Sequence, residues 1–399
     1  MDVSVIQLNM AQTVSIAAVL LIVGDFIKKR IPILERFFIP APVIGGLVFS
    51  LIALIGHQQQ LFEFSFYEGI RNFLLMVFFT TIGFSASLEL LKKGGIGVAF
   101  FLFCSVTLLT IQNIVGVSMA KLFSIHPLIG LAAGSISLTG GHGTSAAFGP
   151  ILEHAGAIGA MPAAIAASTW GLVFGCLIGG PIGLRLLKHH KLKKKMSHPI
   201  PMDIPETINA IKKSSSTTAT YSTVLIMISI GIGSLFVEFI KRYGVTLPAY
   251  IGPMIIAAIV RNIIDYKKLE LPSNEFDIIG TVSLSFFLVM ALMGMKLWEL
   301  AAIAGPLVMI LIVQTAIVAA FAYFITYLIM GRDYDATVLA TGHCGFALGA
   351  TPNAMANMEA FTAKNGPSVK AFFVLPLVGS LFIDFFNVAI ITAFLEYLK

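Results

Sequence analysis

Ten stretches of this chain are long and apolar enough to cross a bilayer, and that property leaves few folds open. They fall at roughly 9–28, 38–56, 70–91, 96–120, 157–187, 221–240, 246–261, 278–299, 303–330 and 370–397. A hydrocarbon core about 30 Å thick takes about 20 residues of helix to cross. Inside it every backbone N–H and C=O must find a partner within the protein, so such stretches fold as a bundle of helices. Composition agrees: of 399 residues, 57% are hydrophobic and 12% charged, against about 25% charged in a soluble domain. The chain reads as an all-α polytopic membrane protein. It begins Met1-Asp2-Val3, with no basic leader and no small-residue cleavage site. The first stretch is therefore expected to be a span and not a cleaved signal peptide.

Two glycine-rich segments, about 200 residues apart, interrupt this pattern. The first reads Thr139-Gly140-Gly141-His142-Gly143-Thr144-Ser145, followed by Gly149-Pro150. The second reads Thr341-Gly342-His343-Cys344-Gly345-Phe346, followed by Gly349, Thr351 and Pro352. Paired at Gly141-His142 and Gly342-His343, they read as one element occurring twice. Fainter matches keep the same order: Ile44-Gly45-Gly46 with Ile251-Gly252-Pro253, and Gly83 and Gly94 with Gly294 and Gly305. The expected organisation is a membrane repeat over 1–187, a linker over 188–220 and a second repeat over 221–399. The linker opens with Lys188-His189-His190-Lys191 and turns Ser/Thr-rich at Ser214-Ser215-Ser216-Thr217-Thr218. An odd number of spans per half forces the repeats into opposite orientations, and paired Gly/Pro interruptions in two such halves point to a transporter's binding site.

Charge sets the expected orientation. All but six of the 26 Lys and Arg lie at alternate joints; the exceptions are Arg71, Lys121, Lys241, Arg242, Lys296 and Lys399. The positive-inside rule then places both termini outside and the linker in the cytoplasm. A full crossing at 127–150 would turn the basic joints at 28–36 and 92–93 outward. Each glycine segment is therefore expected to dip in and return as a re-entrant loop, with an ordinary kinked span as the alternative. Irregular backbone at that depth must be buried in protein or line a cavity.

In the first segment Thr144 or Ser145 is expected to cap a short helix, with Pro150 starting a further turn. In the second, Thr351 reads as an N-cap and Pro352 as the first helical residue of a helix over about 352–364. Helix starts present unpaired N–H groups and partial positive charge, which suit a carboxylate. The free carbonyls and hydroxyls of the same breaks suit a small cation such as Na⁺. Gly141, His142, Gly143, Thr144, Ser145, Gly342, His343, Cys344, Gly345 and Thr351 are the candidates for a small anionic solute. Asp384 falls within the last span, where a charge costs about 2.5–3.5 kcal/mol on insertion scales. Ser380 and Asn387 share its helical face; with Thr351 they are the candidates for the cation. Bland readings stand beside these: glycines for close helix packing, histidines in structural hydrogen bonds, and a protonated Asp384 bonded to a neighbouring helix.

Other classes fit less well. Cys104, Cys176 and Cys344 form no CxxC, and a zinc site from His142, His343 and Cys344 lacks further ligands. No transition metal or other cofactor is expected. Gln112, Asn113 and Gln314 read as polar contacts between helices. No GxxxxGK[ST] loop is present, so an ion gradient or the solute's own gradient supplies the energy. The net charge of +6 does not imply nucleic acid. An ion channel with two filter loops and an intramembrane enzyme using the histidines or Cys344 are the rival classes.

Three runs carry a resemblance: Gly140-Gly141-His142-Gly143-Thr144, Gly342-His343-Cys344-Gly345-Phe346 and Leu348-Gly349-Ala350-Thr351-Pro352-Asn353-Ala354. With them the chain resembles the bacterial sodium/glutamate symporter family over essentially its whole length. The resemblance implies Na⁺-coupled uptake of L-glutamate across the bacterial inner membrane and no enzymatic activity. It places both motifs at the translocation site and adds Asn353 to the solute-binding candidates. It also implies a fold related to carriers of hydroxycarboxylates, hence a homodimer with an elevator-like moving domain. A carrier of another dicarboxylate, or one coupled to H⁺, remains the alternative.

Overall fold

The first span starts at a capping box. The Asn9 side chain accepts from the Gln12 N–H, and the Gln12 side chain accepts from the Asn9 N–H, opening helix α1 (Met10–Arg30). Lys28, Lys29 and Arg30 occupy its last turn, where cations offset the exposed carbonyls. Lys29 also pairs with Asp25 at 2.6 Å. The computed structural model describes residues 4–192, 216–242 and 248–398. Lys193, Lys194, Lys195, Lys212 and Lys213 of the expected linker lie outside the described residues.

After α1 come α2 (Pro32–Arg36), α3 (Ala41–Gln58), α4 (Glu68–Ser85) and α5 (Leu88–Leu122). A broken pair follows, α6 (Pro127–Leu131) and α7 (Gly141–His154), and then the long α8 (Ala160–His189). The second half runs α9 (Ser216–Lys241), α10 (Ile251–Tyr266), α11 (Ser273–Met293) and α12 (Ala304–Ala320), the last continued helically to Ile329. A second broken pair, α13 (Tyr334–Leu348) and α14 (Thr351–Asn365), precedes α15 (Val369–Leu381) and α16 (Ile383–Leu398).

Among the described residues, eight helices are long and apolar enough to cross a membrane, or nine if the bent pair α15–α16 is one span. Ten were expected. The shortfall is the stretch expected at 246–261. Its helix, α10, has 16 residues, about 24 Å at 1.5 Å per residue. It starts only after Pro248 and ends in a polar turn holding Arg261 and Asp265. A second departure is a parallel two-stranded ribbon, β1 (Ser4–Gln7) with β2 (Phe62–Ser65), registered Ser4 to Phe62 and Gln7 to Ser65. The alternation Phe62-Glu63-Phe64-Ser65-Phe66 is a strand signal hidden between two spans. Phe64 and Phe66 pack on Phe49 with ring centroids 5.0 and 5.6 Å away.

Packing follows the element order. α1 lies on α3 as α9 lies on α10; α3 packs on α11, α10 packs on α4, and α4 and α11 pack on each other. Lipid gives helices no hydrophobic reason to associate, so close contact depends on small residues. A Cβ on Gly24 would stand 2.8 Å from the Gly45 nitrogen, and one on Gly252 would stand 2.8 Å from the Gly233 carbonyl carbon. One glycine contact holds α1 against α3, and the other holds α9 against α10. The remaining helices gather around the broken pairs: α8 packs along α7 and α13, and α5 along α6, α15 and α16.

Candidate functional site

The helices on either side of both breaks are shorter than the roughly 20 residues of a full span. α6 runs on through a π-helical turn, Ala132–Ile136, giving 10 residues over Pro127–Ile136 or about 15 Å. The chain leaves helical geometry at Gly134, turns through 137–140 and begins α7 at Gly141 with φ +64°. That left-handed backbone favours glycine, which has no Cβ to clash. The second break is sharper. Gly349 and an extended Ala350 (φ −165°) separate α13 from α14. Each of these helices has 15 residues, about 22 Å.

The two breaks touch. A Cβ on Gly141 would stand 3.4 Å from the Gly349 carbonyl oxygen. The Thr139 hydroxyl lies 2.7 Å from Gln112 Oε1 and 3.3 Å from Ala347 O. The Gln112 amide donates to Ala347 O at 2.8 Å, and Gln314 donates to Gln112 O at 2.7 Å. Ser135 is held from two helices: its N–H donates to Asn113 Oδ1 at 2.8 Å, its hydroxyl donates to Asn387 Oδ1 at 2.6 Å, and Asn387 Nδ2 donates back to Ser135 O at 3.1 Å. On the other side Asn353 donates to Leu172 O (2.9 Å) and lies 3.0 Å from Cys176 Sγ, and Asn357 donates to Gly175 O (2.8 Å). Asn353 Oδ1, Gln314 Oε1 and Asn113 Nδ2 are buried without partners among the described residues.

Several expectations change here. The N-cap of α7 is Gly140, and Thr144 and Ser145 lie buried inside the helix. Ser145 bonds Ser168 at 2.8 Å and Ala164 O at 3.2 Å. Pro150 also sits within α7 and does not open a new turn. The N-cap of α14 is Ala350, because the extended residue that a cap requires is Ala350; Thr351 is the first helical residue and Pro352 the second. Gly342, His343, Cys344 and Gly345 lie inside α13, ahead of the break. Their glycines serve packing: a Cβ on Gly345 would stand 2.8 Å from Ala354 N, and one on Gly342 2.7 Å from Leu375 Cδ1. His343 Nδ1 bonds Thr326 Oγ1 at 2.8 Å, and its ring lies 4.9 Å from that of Phe101. Cys344 Sγ reaches Ala340 O at 3.4 Å. His142, by contrast, opens α7 at the break, with Nε2 3.1 Å from Thr169 Oγ1. The two Gly-His pairs therefore occupy different places in the fold. The residue that meets Gly141 across the two breaks is Gly349, not Gly342.

Gly143 faces the neighbouring bundle; a Cβ there would stand 3.3 Å from Leu284 Cδ1 and 3.6 Å from Phe78 Cε1. Thr351 lies against Gly379, its hydroxyl 2.5 Å from where a Cβ on that glycine would be. The last stretch bends by 47° at Phe382, between α15 and α16. Ser380 and Asp384 consequently do not share one helical face. Ser380 is exposed on α15, and Asp384 is half-buried in the first turn of α16 with no hydrogen bond among the described residues. Asn387 lies one turn on and is committed to Ser135. Ser135, Asn357, Ser168 and Thr169 were not singled out in advance. Only the Asn353/Asn357 pair, four residues apart on one face, carried a readable signal.

The family model for sodium/glutamate symporters matches residues 6–367, which includes both breaks. The sodium/glutamate symporter of Haemophilus influenzae is 41% identical over 385 residues, 95% of each chain. That of Escherichia coli K12 is 39% identical over 396 residues, covering 97% of this chain and 98% of its own. The protein of that name from Shigella flexneri matches to the same extent. This chain belongs to the sodium/glutamate symporter family. The family match spans the glycine turn at 137–141 and the Gly349-Ala350 break, and ends just before α15. The bent α15–α16 lies beyond it but within the stretch aligned with the full-length symporters.

Proposed function

We propose that this protein is a secondary carrier, not an enzyme, that couples Na⁺ entry to uptake of L-glutamate across the bacterial inner membrane. The observation that carries this is the meeting of two broken helix pairs at Gly141 and Gly349, in a chain whose relatives of nearly equal length are named sodium/glutamate symporters. Each break ends in a helix start. The first N–H groups of α7, at Gly141, His142 and Gly143, and those of α14, at Thr351 and Asn353, have no intrahelical acceptor, and both starts carry partial positive charge. Two such starts facing one point suit a carboxylate solute. Thr144 and Ser145, and Gly342, His343, Cys344 and Gly345 on α13, support these starts from behind. For Na⁺ we assign Asp384 and Asn387 on α16, with Thr351 and Ser380 flanking the second break.

In this reading α6–α7 and α13–α14 are re-entrant hairpins, and each half crosses the membrane five times as an inverted repeat. The linker is cytoplasmic and both termini are periplasmic, as the distribution of Lys and Arg favours. The protein works as a homodimer. α1, α3, α4 and α9–α11 form the fixed part, and the hairpins with α5, α8, α12, α15 and α16 move as an elevator. In proteoliposomes an inward Na⁺ gradient should drive labelled L-glutamate to accumulate. Accumulation indifferent to Na⁺ would remove the coupling, and competition by other dicarboxylates but not glutamate would reassign the solute.

A further inference from the structure

A cleft of ≈ 420 Å³ lies where the two groups of helices meet on the side on which α4 begins and α7 ends. One wall comes from α4 and the turn before α10, the other from α7 and the end of α16. Arg71 and Tyr250 line the first wall, Ala146 and His154 the second; Glu68 and Glu396 also border the cleft. Ala146 is five residues from Gly141, about 8 Å along α7. The cleft thus runs from the surface toward the point where the two breaks touch.

Its polar groups are arranged for an anion held inside carboxylates. Arg71 is mostly enclosed, with its side chain 18% exposed, and pairs with Glu68 at 3.2 Å; Glu68 is 63% exposed. Glu396 is likewise exposed. The guanidinium therefore lies in the wall while its countercharge projects to solvent, where it is weakly held and screened. A guanidinium takes a carboxylate in a planar, two-point contact. Tyr250 supplies the second feature. Its ring is fixed by stacking on Phe79 (4.3 Å) and by an edge contact with Phe148 (5.8 Å). Its buried hydroxyl has no partner among the described residues, although a buried tyrosine hydroxyl ordinarily finds one.

We infer that this cleft is an outer carboxylate subsite: Arg71 and Tyr250 take one carboxylate of the arriving solute, displacing Glu68 from Arg71, before the solute reaches the helix starts at Gly141 and Thr351. The inference rests on the reading of the chain as a carrier of an acidic solute. Uptake by Arg71→Gln should show a KM for glutamate raised about tenfold, with the maximal rate within about twofold of wild type. Arg71→Lys should fall between them, and Tyr250→Phe should raise KM a few-fold. Glu68→Gln should lower KM, because it removes the competing carboxylate. An ion pair with only a structural role would make both Arg71→Gln and Glu68→Gln worse. If Arg71→Gln does not reach the membrane, the opposite shifts in Arg71→Lys and Glu68→Gln decide the matter. The same proteins in detergent, without a gradient, give a transport-free measure: glutamate and glutarate should stabilise wild type against heat, and should need about tenfold higher concentration to stabilise Arg71→Gln equally. Wild type that takes up glutamate with Na⁺ while Arg71→Gln keeps its KM and its stabilisation overturns the subsite alone. Wild type that takes up nothing, yet is stabilised through Arg71, upholds the subsite and overturns the transport reading. Wild type that shows neither overturns both.

Discussion

The two broken helix pairs solve one problem in different ways. The first break is wide: a π-helical turn, an irregular Gly134, a loop and a left-handed Gly141. It is held through its backbone by side chains that reach in from elsewhere, Asn113 to Ser135 N and Asn387 to Ser135 O. The second break takes two residues, neither with positive φ, and holds itself by reaching out: Asn353 and Asn357 extend from α14 to carbonyls of α8. Held from outside, the first tip depends on two other helices, α5 and α16. The second is stiffened by a single long helix. The pinning also crosses the halves, because Asn387 belongs to the second half and grips the first break, while α8 belongs to the first and receives the second. A moving unit built this way contains both tips or neither.

Gly141→Ala is the strongest way to break this comparison. A left-handed non-glycine residue costs about 1–2 kcal/mol, and the new methyl points at Gly349 O. Uptake should fall at least about tenfold with the protein still in the membrane, whereas Gly349→Ala, at φ −135°, should lose only a few-fold; equal losses would erase the distinction. Asn353→Ala comes next. It frees Leu172 O and removes Asn353 Oδ1, which has no partner among the described residues, and initial uptake rates should drop several-fold with a higher Na⁺ requirement. The corresponding Asn357→Ala, farther from the break, should leave the Na⁺ requirement unchanged. Asp384→Asn should raise the half-saturating Na⁺ concentration a few-fold at unchanged expression; an identical Na⁺ titration would take Asp384 out of the cation site. The smallest effect is the coupling between Ser135 and Asn387. A double-mutant cycle to alanine, read by thermal unfolding in detergent, should give about 0.6 kcal/mol, the average for hydrogen bonds between membrane helices.

Most of the helices were legible because lipid allows little else, and the first break was legible because Gly141, one of its clustered glycines, takes the left-handed backbone that ends the turn. The second was misplaced by several residues. Gly342 and Gly345 look like a break in sequence, yet they let α13 lie against α14 and α15, and sequence does not separate glycine for turning from glycine for contact. The Thr351-Pro352 signal came within one residue of the true helix start. The bend at Phe382 was hidden because it falls at an apolar residue within an apolar run, with Pro376 and Gly379 upstream inside α15. The grip of Asn387 on Ser135 joins residues 252 apart, a separation at which no local pattern speaks. Gln112, Asn113 and Gln314 were read as contacts between helices, and they are; what the sequence withheld was that those contacts surround a break.

That long separation has a consequence for biogenesis. At about 5–20 residues per second, the ribosome needs about 10–50 s after making Ser135 to make Asn387. Throughout that interval the first break waits in the membrane without one of its two holders. A nascent chain arrested before α16 would therefore carry an incomplete polar tip, visible to whatever surveys unfinished membrane proteins. Completion of the last helix is the step that closes the assembly.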